Sequence, residues 1–391
     1  MKTNMVAPKN KKPKTKKVSA KSGPIGSKKK TTVRGALKKT TTRKTTVKGK
    51  ITRKVGSELK RSPRNPIIEP RPYAWESKAT FNPTAIYSSG KVHILYRAIG
   101  DSDNSVLGYA NSIDGFTINE TYPRPAYFPY IGLKYDTTLP SIDYSSGGGW
   151  GGGSEDPRMT LIDNRVYVLY TAFDGWGSVR IALISISLED FLAKRFNNWK
   201  GPVLISPPGQ VHKNWVLFPE KINGKFAILH SISPNIMIDY FDSLDELDGR
   251  KFIHSVHNKE ASWTASGKFV RGAGPAPIKT KYGWLVLYHA IEKNDSGRYK
   301  LYAMILDSKN PSKVLCDSIQ PILEPDLWYE NEGYKGGVIY ACGAIVKDGE
   351  LFVYYGGADK VSCVATVNLD KFLEELISHR VVKLKSRKIE P

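Results

Sequence analysis

DPRMTLIDNRVYVLYTA (156–172) is a two-strand phrase: a small, Pro-bearing start, a β-rich run, a turn signal, and an apolar strand ending in polar residues. The phrase recurs in tandem as NPTAIYSSGKVHILYRA (82–98), FPEKINGKFAILHSI (218–232), GPAPIKTKYGWLVLYHA (274–290) and ACGAIVKDGELFVYYGG (341–357). After each comes a further strand with a polar hairpin end, as in SVLGYANSIDG, SVRIALISISLEDF and YKLYAMILDSKNP. Strand ends at Tyr96, Tyr170, His230, Tyr288 and Tyr355 recur at intervals that suit four-stranded blades with variable loops. The expectation is an all-β fold, a five-bladed β-propeller over residues 65–391. It is preferred to a pair of β-sandwiches because radial repetition protects strand edges that separate hairpins would leave open. A segment around residues 66–80 should supply the strand or clasp that closes the ring, and LDKFLEELIS (369–378) reads as a short helix.

The 391 residues carry a formal charge of +22, but the excess is local. Residues 1–64 hold 23 Lys and Arg against one acid, Glu58, and the remaining 36 basic and 36 acidic residues balance. KKPKTKK, SKKKTT and KKTTTRKTTVKGK contain too little apolar surface to offset the entropy of ordering, so residues 1–64 read as a disordered basic tail. Such a tail is either an electrostatic tether to nucleic acid or another polyanion, or a solvating extension. Neither a secretory signal nor an apolar run of about 20 residues is present, so no membrane partner is expected. Cys316, Cys342 and Cys363 have no metal-ligand spacing and read as buried, reduced thiols of a cytoplasmic protein. The oligomeric state is not legible.

The innermost strands of a propeller converge on a central channel, so the strand ends are where chemistry should lie. They are polar: Arg97 after Tyr96, His230 with Ser231, Tyr288 with His289, and Asp359 after Gly356-Gly357-Ala358. The opposite ends begin Asn82-Pro83, Glu155-Asp156-Pro157-Arg158 and Phe218-Pro219-Glu220-Lys221. Acids, amides and aromatics around a concave hole suit a sugar. Asp156 and Glu220 could divide the work of glycoside cleavage, one protonating the leaving oxygen and the other activating water. GGGWGGG (147–153) lacks the Gly-Lys-Ser/Thr of a phosphate-binding loop, and is either a lid carrying Trp150 or a passive loop.

GSEDPRMTLIDNRVYVLYTAFD (153–174), NPTAIYSSGKVHILYRA, LFPEKINGKFAILH, GAGPAPIKTKYGWLVLYHA and VYYGGAD resemble the characteristic blocks of glycoside hydrolase family 130, the β-mannoside phosphorylases and β-mannosidases. The resemblance runs in order from about residue 66 to 380. It implies a five-bladed propeller, inversion of configuration, and Asp156 as general acid acting through a sugar hydroxyl. It also implies that Asn82, Arg97 and Asp359 hold the mannosyl unit, and that neither metal nor organic cofactor is needed. His230, Tyr288 and His289 complete the expected substrate-binding set. Phosphorylases of the family surround inorganic phosphate, their co-substrate, with basic residues. Here Glu220 follows Phe218-Pro219, and a carboxylate would repel a phosphate dianion yet could deprotonate water. Hydrolysis of a β-mannoside oligosaccharide is therefore the expected reaction, phosphorolysis to mannose 1-phosphate the alternative, and a non-catalytic sugar-binding propeller tethered by its tail a further one.

Because residues 1–64 hold the whole charge excess, a chain lacking them should elute from heparin at clearly lower salt than the full chain. Equal elution would place anion binding elsewhere.

Overall fold

The structure, a computed structural model, describes residues 59–129, 138, 140–141, 151–256 and 263–378. The 147–150 part of the glycine-rich loop, with Trp150, and most of the basic tail lie outside them. After β1 (Lys60–Arg61), the described strands form five antiparallel groups in chain order. The first holds β2 (Ala79–Ser88), β3 (Lys91–Ile99) and β4 (Asn104–Ser112), edged by β5 (Glu120–Thr121). The second holds β6 (Gly152–Ile162), β7 (Arg165–Phe173), β8 (Val179–Ser187) and β9 (Lys200–Leu204). Parallel pairing of Asn104 with Gly152 and Ser105 with Gly153 joins these two groups into one eight-stranded sheet. The third is β10 (Val216–Leu217), β11 (Phe226–Ser231) and β12 (Met237–Phe241). The fourth is β13 (Lys268–Ala273), β14 (Ile278–Thr280), β15 (Gly283–Glu292), β16 (Asp295–Leu306) and β17 (Val314–Asp317). The fifth is β18 (Ile339–Lys347), β19 (Glu350–Gly357) and β20 (Val361–Asn368).

The apolar alternation of these strands is spent between groups. One buried cluster joins the first and second groups through Leu95, Tyr109, Val168 and Ile184, and the next joins the second and third through Leu169, Leu183, Trp215 and Ile228. Further clusters join third to fourth through Leu229 and Val286, and fourth to fifth through Leu287 and Val353. A fifth joins the last group back to the first through Tyr354, Phe352, Ile94 and Tyr96. The helix expected at Leu369–Ser378 is present and buries Phe372, Leu373 and Leu376. All three cysteines are buried and unpaired with one another. Among the described residues no helix is long and apolar enough to cross a membrane.

The clasp begins earlier than the sequence suggests. Ile68 does bridge Ser362, but Lys60 and Arg61 also pair with Thr366 and Ala365 on the outer strand of the fifth group. Leu59 sits in the core there, and Asn65 exchanges two hydrogen bonds of 2.9 Å with the Val364 backbone. Arg61 donates from Nε (2.7 Å) and Nη2 (3.0 Å) to the fully buried carboxylate of Glu330, which also accepts from Tyr355 Oη at 2.8 Å. Residues 59–64, grouped with the tail on composition, belong to the body. A single run of positive charge hid the change, because Lys60 and Arg61 read as more of the same.

Deleting residues 1–58 should therefore leave the melting temperature unchanged. Deleting 1–64 strands a buried carboxylate, a loss of about 3–5 kcal/mol, and should lower the melting temperature by at least about 5 °C. Thermal denaturation of the two truncations checks this, and equal melting would show that β1 adds nothing.

Candidate active site

Interruptions in strand pairing place most of the site. In β2 and β6 the register shifts at Asn82-Pro83 and Asp156-Pro157. Proline has no N–H to give the ladder, and Asn and Asp tolerate the left-handed backbone that an inserted residue needs. Asn82 and Asp156 have φ of 49° and 50°. Further shifts fall at His230, Arg271 and Cys342. Four of these five residues, Asn82, Asp156, His230 and Arg271, line one pocket. Arg158 fixes the Asp156 bulge from behind. It donates to the Asp156 carbonyl (2.7 Å), the Gly274 carbonyl (3.0 Å) and Asn214 Oδ1 (2.6 Å) while itself buried.

At the deepest part of the pocket, Asp156 Oδ1 accepts from Asn82 Nδ2 at 2.7 Å and from Arg97 Nη1 at 3.2 Å. Arg97 also donates to Glu155 (2.9 Å) and Ser105 (3.0 Å), with its guanidinium 4.8 Å from the centre of the Phe81 ring. Burial pushes the Asp156 carboxyl up, but Arg97, Arg158, the Asn82 hydrogen bond and Lys213 outweigh it and hold the group below the ordinary range. Asp156 is thus ionised at neutral pH. Asp359 enters from a left-handed turn at Ala358-Asp359, with φ of 48° and 53°. Burial raises its carboxyl to about 6, against the pull of Lys335.

The pocket is cationic. Lys213, Arg271 and Lys335 line it with Arg97, against the two carboxylates of Asp156 and Asp359. Burial pushes the Lys213 ammonium down to about 8, despite Glu155 and Asp156. Arg271 and Lys335 make no ion pair among the described residues; both lie against the Tyr299 ring, 5.4 and 4.3 Å from its centroid. Asn214 holds this wall together: it accepts from Tyr340 Oη (2.6 Å) and donates to the Arg271 carbonyl (2.6 Å). Gly272 makes the approach possible, since with φ of +122° a Cβ there would sit 2.7 Å from Asn214 Cβ.

The pocket thus gathers Asn82, Arg97, Asp156, His230 and Asp359 from the residues expected on sequence. Three expectations are corrected. Glu220 is outside the pocket, half-exposed and ion-paired with Lys279. The turn explains this. Phe218, the residue before the proline, makes no bulge and packs in the core against Trp284, with 5.1 Å between ring centroids, and Glu220 lies beyond the proline beside Lys279. Tyr288 pairs with Tyr302 in regular register and points into the core between groups, its hydroxyl donating to Asp317 at 2.6 Å. His289 is fully buried behind Tyr340, the rings parallel at 4.2 Å. Burial, then Arg158, push His289 down to about 3, and the Ala341 N–H donates to its Nε2 at 2.8 Å, so the neutral ring carries its proton on Nδ1. His289 positions Tyr340.

Tyr340, Lys335, Lys213 and Arg271 were not among the pocket residues expected on sequence. Two signals were available: Arg271 directly precedes the GAGP block, and Lys335 sits in the glycine-rich GYKGG. Among the described residues no group of His, Cys, Asp and Glu is arranged to hold a metal.

This geometry can grip a polyhydroxylated ring at its blind end and an anion among its cations. A family model described as beta-1,4-mannooligosaccharide phosphorylase matches residues 58–377. A 1,2-beta-oligomannan phosphorylase of Thermoanaerobacter sp. (strain X514) is 37% identical, over 80% of this chain and 98% of its own. A beta-1,2-mannobiose phosphorylase of the same organism is 35% identical over the same shares. The solved beta-1,2-mannobiose phosphorylase from Listeria innocua, in complex with beta-1,2-mannobiose, superposes with a TM-score of 0.61 at 25% identity, over 81% of this chain and 99% of that one. A family match along nearly all of the described body, with relatives above one-third identity over nearly their full length, leads to one assignment: the chain belongs to glycoside hydrolase family 130.

Proposed function

We propose that this protein is an inverting β-mannoside phosphorylase built as a five-bladed β-propeller, with Asp156 as its acid and inorganic phosphate as co-substrate. The observation that carries phosphorolysis is the charge of the pocket: Arg97, Lys213, Arg271 and Lys335 stand against Asp156 and Asp359, with Glu155 also paired to Arg97, and leave a positive surplus that suits a phosphate anion. The hydrolytic expectation depended on Glu220, which stands outside the pocket. The relatives, too, carry the names of phosphorylases. The propeller reading is supported by five successive antiparallel groups whose cores run pairwise from first to last and back to the first.

In this reading Asn82, Arg97 and Asp359 hold the mannosyl hydroxyls at the blind end. Phosphate enters beside Lys213 and Arg271 and offsets their charge. That removes part of what keeps Asp156 ionised, so the carboxyl takes a proton from solvent as phosphate binds. A phosphate oxygen then bonds to the anomeric carbon from the face opposite the leaving group. The glycosidic bond breaks, and the Asp156 proton passes to the departing oxygen through a sugar hydroxyl. The products are α-mannose 1-phosphate and the shortened saccharide. Three buried cysteines with no disulfide among them support a reducing compartment as the site of action.

Incubation with β-1,2- and β-1,4-mannobiose should consume substrate only when phosphate is present, and nuclear magnetic resonance should show α-mannose 1-phosphate. Free mannose formed equally well without phosphate would overturn the reading. Asp156→Asn should cut turnover by at least about a hundredfold with the fold intact, whereas Glu220→Gln should stay within about twofold of the parent. The kcat/KM for phosphate should fall as pH rises through about 8, where Lys213 loses its charge, and Lys213→Arg should move that limb upward. An unmoved limb would clear Lys213 of the role.

A further inference from the structure

A row of rings leads out of the pocket. Tyr340, buried on the pocket wall, lies 6.3 Å from Tyr299 between ring centroids. Arg271 is held between the half-buried rings of Tyr299 (5.4 Å) and Phe269 (5.5 Å). Beyond Phe269, at 5.4 Å and nearly edge-on, comes Trp263, 42% exposed and bridged to Phe269 through the backbone. Exposure rises along the row, from Arg97 and Asp156 at the blind end to Trp263 in solvent. Packing inside the protein accounts for Tyr340 and Tyr299. Trp263 packs edge-on against Phe269 yet keeps a large part of its ring open to water at the end of the row, a face on which a ligand ring could stack.

We propose that Phe269 and Trp263 form the track for the leaving saccharide, with Trp263 stacking on the second sugar beyond the scissile bond. Resting on the β-mannoside reading of the pocket, this makes the preferred substrate a chain of three or more sugars. The reasoning is steric and chemical. The mannosyl unit to be cleaved occupies a blind end, so every further sugar must run toward the mouth. Each ring-to-ring step along the row is comparable with the length of one pyranose. The apolar face of a mannose presents C–H groups to an aromatic ring, while its hydroxyls stay with water and with the edges of Arg271. A disaccharide would end before Trp263 and gain nothing from it.

Binding separates this from the chemistry. Asp156→Asn protein, titrated by calorimetry with β-mannobiose, mannotriose and mannotetraose of the β-1,2 and β-1,4 series, should bind the longer chains more tightly. Adding Trp263→Ala should weaken binding of the triose and tetraose about tenfold and of the biose less than about twofold. Trp263→Phe, which keeps a ring, should restore most of the loss. Trp328→Ala, at another exposed tryptophan on the short helix Trp328–Asn331, should change nothing. Unchanged affinity for every length, or an equal loss for all of them, would overturn the track. Failure of the phosphorolysis reading looks different: free mannose would form without phosphate while the length dependence at Trp263 survived. A protein that bound none of these saccharides would overturn both.

Discussion

Everything in the pocket depends on a backbone that departs from regular pairing at a fixed place. A β-strand sends alternate side chains to opposite faces, and in this fold both faces are buried against neighbouring groups, so a regular strand has nothing to offer a ligand. One extra residue, placed in left-handed conformation before a proline, turns a single side chain out of that alternation. Asp156 owes its location to this displacement, and the same device presents Asn82. The strain is held by Arg158, whose three acceptors come from the Asp156 carbonyl, the GAGP turn and Asn214. One buried guanidinium therefore ties the second group to the end of β13 in the fourth and to Asn214, just ahead of the third, behind the acid.

The second constraint is charge in a poorly solvated space. Asp156 is held ionised because cations outnumber carboxylates around it. In the proposed reaction the same surplus lets an incoming phosphate change its protonation, so the nucleophile and the acid would be prepared by one event. Asp359 illustrates the opposite balance: with only Lys335 as its main counterweight, burial wins and the carboxyl rises. Two aspartates a short way apart thus differ in proton affinity through their neighbours alone.

Much of this was legible in the chain. Five tandem phrases gave the strand groups, and Asn82-Pro83 and Asp156-Pro157 marked the interruptions because proline cannot join the ladder. Glu220 misled because it stands beside a proline that marks no interruption: in the third group the register shift falls at His230, and Phe218-Pro219 packs with the core. Tyr288 and His289 misled for a related reason. His230 reaches the pocket because its strand is interrupted there, but β15 runs regularly past Tyr288 and buries both of them. Arg271 could not be placed, since no proline or Asx residue announces its bulge. Lys335 comes from a loop, where spacing says little about direction.

The pairing of β1 with β20 also bears on how the protein is made. Asn65 and Val364 stand 299 residues apart, yet the side-chain amide of one satisfies both backbone groups of the other. On the ribosome β1 emerges first and its partner strand almost last, so this pairing must wait until nearly the whole body has been made. Closure over so long a loop is slow and comes all at once. A nascent chain stalled before Val361 would leave Lys60, Arg61 and Asn65 without the strand they pair with, which makes the final strand a checkpoint on complete synthesis.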